Sequence, residues 1–115
     1  MADVLVDTDI FIDHLRGAVE LKPSSHRLYY SVVTRAELFA GSSATAKVSE
    51  LLGPFRELPI DREIAERAGR IKRETRVRLP DALIAATALG HGLFLATRNR
   101  RDFSAVRGLR IKALR

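Results

Sequence analysis

One segment constrains the fold of this 115-residue chain more than any other, the apolar run Pro80–His91. Apart from one threonine, the side chains of Ala82–Leu89 are apolar on every side of a helix. Such a helix has no face suited to water, so it is predicted to be buried against other elements. Pro80 suits its first turn and Gly92 suits its end. The rest of the chain must therefore pack around this helix.

Short apolar or β-branched runs, each bounded by turn signals, predict the strands. They are Val4–Val6, Leu28–Val33, Leu58–Ile60, Phe94–Thr97 and Leu109–Leu114. The third run contains a proline, which cannot donate a hydrogen bond to a sheet. It can therefore only be an edge strand or a very short one.

Helical patterns separate these runs. They cover Ile10–Arg16, a region from Thr34 to Leu52 with a break near Gly41, and Asp61–Thr75. The last has one apolar stripe and ends in basic residues, as an amphipathic helix does. The alternation of strands and helices predicts an α/β sandwich with a mainly parallel central sheet, built as a single domain over residues 1–115.

The composition excludes several classes of protein. The chain has no cysteine, which rules out disulfide scaffolds, zinc–thiolate sites and cysteine nucleophiles. No run approaches the roughly 18 apolar residues of a membrane span, and the acidic start is unlike a signal peptide. We therefore expect a cytoplasmic protein without membrane contact.

The charge is unevenly distributed along the chain. Residues 1–61 contain 6 basic and 9 acidic side chains, whereas residues 62–115 contain 14 and 5. A basic half of this kind favours a polyanionic partner such as RNA. Arg98, Arg100 and Arg101 directly follow a predicted strand, and they are candidates for binding the phosphates of a substrate.

Four acidic residues come at the ends of strands or the starts of helices, namely Asp7, Glu37, Asp81 and Asp102. Each has an ordinary structural explanation. Asp7 could form an Asx-turn, and Asp81 could stabilise a helix N-terminus. Glu37 could complete a capping box with Thr34, and Asp102 could cap a short turn.

Considered together, the four acids indicate a metal site. Parallel topology can bring them to one edge of the sheet, where they would repel each other unless a cation lies among them. Oxygen ligands without thiols or paired histidines favour Mg²⁺ or Mn²⁺. Such an ion beside arginines suits hydrolysis of a phosphodiester bond. Asp9 and Asp13 share the neighbourhood of Asp7, and we interpret them as caps or solvated helix residues.

Four segments together resemble a known family. LVDTDIFIDHLRG, SVVTRAELFAG, RLPDALIAATAL and LFLATRNRRDF occur in the order and approximate spacing of PIN-domain proteins, and are most similar to the VapC-type toxins of toxin–antitoxin modules. The resemblance covers nearly the whole chain. It implies a three-layer α/β/α sandwich, an acidic pocket that binds Mg²⁺ or Mn²⁺, and endoribonuclease activity.

The resemblance also implies roles for individual residues. Asp7, Glu37 and Asp81 match the three core acids of the family. Either Asp102 or Asn99 matches the fourth metal-binding position. The family often has small hydroxyl residues lining the same pocket, and Thr8 and Thr97 are similar to these.

Further implications concern partners. VapC-type proteins pair with a VapB antitoxin that obstructs the acidic pocket, and they usually form homodimers. This chain departs from its relatives at Ala18–Arg27, a short segment where they commonly have a longer helical one. Antitoxin docking and the dimer edge could differ there.

Two other classes of function compete with this interpretation. One is a non-catalytic RNA-binding module or an inactive PIN scaffold, but a pure binding module explains the acids poorly and has few aromatic residues for stacking. The other is a phosphoaspartate-forming phosphatase, with Asp7 as nucleophile and Asp9 as acid/base. The chain is short for that fold, and it lacks a later Gly-Asp metal motif.

Overall fold

A parallel sheet forms the centre of the structure, a computed structural model that describes residues 1–18, 21 and 25–114. Its strands are β1 (Asp3–Val6), β2 (Arg27–Ser31), β3 (Arg56–Leu58) and β4 (Phe94–Ala96). They lie in the order β3-β2-β1-β4, and every neighbouring pair is parallel. The carboxyl ends of the two central strands, β2 and β1, therefore open onto the same edge of the sheet.

Helices cover both faces of this sheet. They are α1 (Thr8–Leu15), α2 (Val32–Ala40), α3 (Thr45–Leu52), α4 (Arg62–Glu74), α5 (Leu79–His91) and α6 (Arg100–Phe103). Leu5 packs in one apolar cluster with α4 and α5, whereas Val6 packs in a second cluster with α1, α2 and α3. Successive side chains of a strand point to opposite faces, so β1 divides the two cores. The α/β/α sandwich predicted from the sequence is confirmed.

The apolar segment forms α5, as predicted. Its alanines are buried, and the helix ends at Gly92, whose φ of 65° lies in the left-handed region that glycine adopts without a steric penalty. Helix α4 packs against α5. The Asp61 carboxylate caps α4 by accepting a hydrogen bond from the backbone N–H of Ile64 at 2.9 Å. These two helices cover one face of the sheet.

Helix α2 begins earlier than the sequence predicts. Strand β2 ends at Ser31, whose hydroxyl accepts a hydrogen bond from the backbone N–H of Val33 at 3.1 Å and so caps the helix. Thr34 therefore lies inside the helix, and the predicted capping box with Glu37 is wrong. The predicted break near Gly41 is confirmed, since α2 and α3 are separate helices.

The predicted strand Leu109–Leu114 is also wrong. Ile111 forms only an isolated parallel bridge with Leu95 of β4. The alternation has another cause, because Leu109 and Ile111 pack on the core while Arg110 and Lys112 lie 4.3 and 5.6 Å from the centre of the Phe94 ring. Cation–π contacts of this kind keep the basic side chains on the outer face.

Small shifts affect the other elements. β4 ends one residue before its predicted end, α1 begins two residues before its predicted start, and the strand near Pro59 lies at the sheet edge over Arg56–Leu58. The segment Ala18–Arg27 lies partly outside the described residues. Across the described part of the chain, each helix is too short or too polar to cross a membrane.

Candidate active site

The carboxyl ends of β1 and β4 meet at Asp7. This residue follows β1 directly, and its backbone N–H donates to the carbonyl of Ala96 in β4 at 2.9 Å. Its side chain caps α1, since the Asp7 Oδ1 accepts a hydrogen bond from the backbone N–H of Thr8 at 2.8 Å. The local fold thus holds a buried carboxylate at the sheet edge where α/β proteins bind ligands.

Thr97 connects Asp7 to a second carboxylate. Its hydroxyl donates to Asp7 Oδ2 at 2.7 Å and lies 3.3 Å from Asp9 Oδ2. The backbone N–H of Arg98 also donates to Asp9 Oδ2, at 3.1 Å. The residues after β4 therefore fix two acids from the start of α1, almost ninety residues earlier in the sequence. Asp9 is not among the site residues predicted from the sequence.

A second hydroxyl connects this pair to Glu37. Thr8 lies at the start of α1, and its hydroxyl donates to Glu37 Oε1 in α2 at 2.8 Å. The same Thr8 oxygen lies 2.9 Å from the Thr34 hydroxyl. Asp7, Asp9 and Glu37 thus form a group that we call the carboxylate cluster. Thr8 connects its members, because the Thr8 backbone contacts Asp7 and the Thr8 side chain contacts Glu37.

The cluster accumulates negative charge. Burial, together with the nearby charges of Asp9 and Asp81, raises the pKa of Asp7 to about 7, against the hydrogen bonds from Thr97 and Thr8. Burial also raises the pKa of Asp9, which the backbone N–H and side chain of Arg98 oppose. The buried Oδ1 of Asp9 has no hydrogen-bond partner among the described residues.

Two arginines pair with acids at the rim of the cluster. The Arg78 guanidinium lies 3.5 Å from the Asp81 carboxylate, on the first turn of α5. The Arg98 guanidinium lies 3.1 Å from the Asp13 carboxylate of α1. Both arginine side chains remain mostly exposed. Among the described residues, no cationic side chain forms an ion pair with Asp7 or Asp9, although the charge of Arg98 lowers the pKa of Asp9.

The remaining predicted residues lie further out. The Asn99 amide donates to the Asp102 carboxylate at 3.0 Å, and its backbone N–H donates to the Thr97 hydroxyl at 3.0 Å. Asp102 is exposed, as are Arg100 and Arg101. The structure thus groups Asp7, Glu37 and Asp81 with Thr8 and Thr97, and it leaves Asp102 on the surface beside them. The sequence signal for Asp9 was its position two residues after Asp7 at the end of a buried strand.

The donor set fits a hard divalent cation in its chemistry. Every inner side chain offers oxygen, Asp9 has a buried oxygen without a partner, and the mutual repulsion of the acids contributes to the raised pKa of Asp7. Within residues 1–18, 21 and 25–114, no three acidic or histidine side chains already surround one point where a metal ion could bind.

A separate cleft of about 840 Å³ lies away from these acids. Leu15, Leu28, Tyr29, Leu51 and Phe55 contribute its apolar surface, and none of the carboxylates of the cluster lines it. This cleft therefore does not coincide with the acids at the sheet edge.

Comparisons with known proteins agree on one family. The sequence pattern of the PIN domain matches residues 4–109. The chain is 41% identical over 109 residues to Ribonuclease VapC10 of Mycobacterium tuberculosis. The aligned region covers 84% of this chain and 82% of that protein.

Solved structures give the same result. A toxin–antitoxin complex from Klebsiella pneumoniae contains a chain with 33% identity and a TM-score of 0.76, covering 92% of this chain and 94% of that one. DNA-bound VapBC from Salmonella typhimurium matches with a TM-score of 0.83 and full coverage of both chains, at 24% identity. The second likeness is one of fold.

Proposed function

The chain belongs to the PIN-domain family, among the relatives of VapC ribonucleases, and on this premise we propose that it is a metal-dependent endoribonuclease toxin. The proposal rests on the buried Asp7 and the half-buried Asp9, whose carboxylates both lie within hydrogen-bond reach of the Thr97 hydroxyl. Two carboxylates this close together, one buried and the other with a buried, unpartnered oxygen, are typical of a site that binds a cation.

Asp7, Asp9, Glu37 and Asp81 would hold the ion, with Asp102 or Asn99 completing the site from the rim. Mg²⁺ or Mn²⁺ bound there would lower the pKa of a water molecule and offset charge on the phosphodiester. The chain itself supplies preorganisation, because Thr8 and Thr97 hold three carboxylates by hydrogen bonds before any ligand binds. We therefore assign these two hydroxyls to positioning the acids.

Arginines beside the cluster would bind the RNA backbone. Arg100 and Arg101 are exposed on α6, which begins just beyond Thr97. Their guanidinium groups can hold phosphates in two-pronged hydrogen bonds. Arg98 differs, since its guanidinium is paired with Asp13 and its backbone N–H with Asp9. We propose that Arg98 braces the acids and that Arg100 and Arg101 contact the substrate.

We further propose a VapB-type antitoxin as the protein partner and a homodimer as the assembly. The similarity to a chain from a Klebsiella pneumoniae toxin–antitoxin complex supports the first proposal. An antitoxin that covers the carboxylate cluster would need to offer it positive charge, because no cationic side chain among the described residues forms an ion pair with Asp7 or Asp9. Co-expression with the product of an adjacent small reading frame would test the pairing.

RNA cleavage tests the proposed activity. Purified protein is expected to cut RNA in Mg²⁺ or Mn²⁺, and Asp81→Asn should slow cutting at least about 100-fold, since it removes a charged ligand while keeping the side-chain size. Circular dichroism should show the fold unchanged. Sequencing of new RNA 5′ ends in a bacterial host would identify the cleavage site.

Asp61→Asn is the matched control for this experiment. Asp61 caps α4 away from the cluster, and asparagine caps a helix as well as aspartate does, so this variant should cut RNA like the wild type. Equal cutting by the wild type and by Asp81→Asn would assign the activity to a contaminating nuclease. RNA binding without cutting in either metal would identify a non-catalytic module instead.

A further inference from the structure

We propose that Thr34 is a positioning residue for the metal site, acting on Glu37 through the hydroxyl of Thr8. The inference rests on the proposed function, and it adds a residue to which the sequence assigns only a place in a capping box. Thr34 is fully buried in the first turn of α2. Its hydroxyl lies 2.9 Å from the Thr8 hydroxyl, which in turn lies 2.8 Å from Glu37 Oε1.

Counting protons shows which hydroxyl donates in each of these two hydrogen bonds. A threonine hydroxyl carries one proton and can accept through its lone pairs. Thr8 donates its proton to the Glu37 carboxylate, which accepts. The bond between the two hydroxyls must then have Thr34 as its donor. Thr34 thus supplies the proton that orients Thr8 toward Glu37.

The position of Thr34 on α2 makes this arrangement possible. Thr34 and Glu37 are three residues apart, so their side chains lie on the same face of the helix. A threonine inside a helix can instead donate back to a carbonyl one turn earlier. Thr34 is only the third residue of α2, so the residue four positions earlier is not part of the helix. The Thr34 hydroxyl instead contacts the Thr8 hydroxyl in α1.

Holding Glu37 matters because its side chain is long and only partly buried. A free glutamate must lose rotamer freedom when it binds a ligand, whereas one already held loses less. Hydrogen bonds in series also polarise one another, which strengthens the contact between Thr8 and Glu37. Removing the donor at Thr34 should loosen Glu37 without changing any carboxylate.

Thr87 provides a matched control within the same molecule. It is also a fully buried helical threonine, but its hydroxyl donates to the carbonyl of Leu83 in its own helix at 2.8 Å. Valine and threonine side chains have nearly the same shape. Changing threonine to valine at either position therefore removes one buried hydroxyl with little change in shape. Only the change at Thr34 interrupts the path to Glu37.

The test measures Mn²⁺ affinity by isothermal titration calorimetry, without RNA. Thr34→Val should bind Mn²⁺ about 10-fold more weakly than the wild type, the low end of the range for residues that orient metal ligands. Thr34→Ser keeps the donor and should restore affinity to within about 2-fold, allowing for the usual scatter of such contacts. Thr87→Val should bind like the wild type. Unchanged binding by Thr34→Val, or an equal loss in Thr87→Val, would overturn the inference.

A second measurement separates this inference from the proposed function. In metal-free protein, the effects of Thr34→Val and Glu37→Ala on urea unfolding should be non-additive, because the two residues share Thr8. Thr87→Val and Glu37→Ala should be additive. Additivity at Thr34 would refute the hydroxyl chain. If the effects of Thr34→Val and Glu37→Ala are non-additive but the wild type binds no Mn²⁺, the series of hydrogen bonds would be supported and the metal site would be refuted.

Discussion

Helix α5 and the carboxylate cluster follow opposite physical rules, although Asp81 belongs to both. Along α5 the local preferences agree with the fold, since its alanines are buried in the core and glycine ends it in the left-handed conformation. The cluster instead buries Asp7 beside Asp9 and leaves a carboxylate oxygen without a partner. The first region stabilises the fold, whereas we propose that the second region binds a ligand.

The largest expected effect would come from placing a charge in the helix. Ala86 is fully buried in α5, so Ala86→Asp should unfold the protein. An unpaired buried carboxylate costs several kcal/mol, out of a total stability of about 5–15 kcal/mol for a typical domain. Far-UV circular dichroism and urea unfolding would measure the loss. A folded Ala86→Asp protein would contradict the view that α5 is closely packed.

The next largest effect is expected at the carboxylate cluster, where removing the buried charge of Asp7 should stabilise the metal-free protein. The pKa of Asp7 is raised from 3.8 to about 7 in the folded state, so stability falls as pH rises between these values. Asp7→Asn removes this dependence and can still cap α1. Relative to the wild type, Asp7→Asn should gain stability at pH 8, on the order of 4 kcal/mol at most, and gain none below pH 4.

Urea unfolding of both proteins at pH 4 and pH 8 would measure this difference. Using the difference between the two proteins removes the contributions of titrating groups that do not interact with Asp7. Asp9 does interact with Asp7, so its altered titration is part of the measured difference. A gain that is the same at both pH values would mean that the Asp7 carboxylate is not held at a raised pKa in the folded state.

The two regions also differ in how well the sequence predicted them. Helix α5 was predicted to within one residue because its apolar pattern, Pro80 and Gly92 all act locally. The fold class followed from the same local signals. Thr34 was wrongly predicted to cap α2, because Ser31, three residues earlier, can also cap a helix and does so in the structure.

Asp9 was missed because its environment is not local. An acid in the first turn of a helix is ordinary, and only the approach of Thr97 and the Arg98 backbone distinguishes this one. The strand-end rule did predict the neighbourhood of Asp7 and Thr97. The roles of Asp102 and Asn99 stay predictions, since the structure joins them to each other and places Asp102 at the surface.

We propose that the carboxylate cluster lowers the stability of the metal-free protein and binds a divalent ion. Thermal unfolding at pH 8, with Mn²⁺ or with a chelator, tests both parts of this proposal. Wild-type protein should gain about 2.7 kcal/mol when Mn²⁺ is present at 100 times its dissociation constant. Asp7→Asn should be more stable than the wild type in chelator and should not respond to Mn²⁺, whereas Asp61→Asn should respond like the wild type. A wild type that Mn²⁺ does not stabilise, or an Asp7→Asn variant that responds equally, would contradict the account.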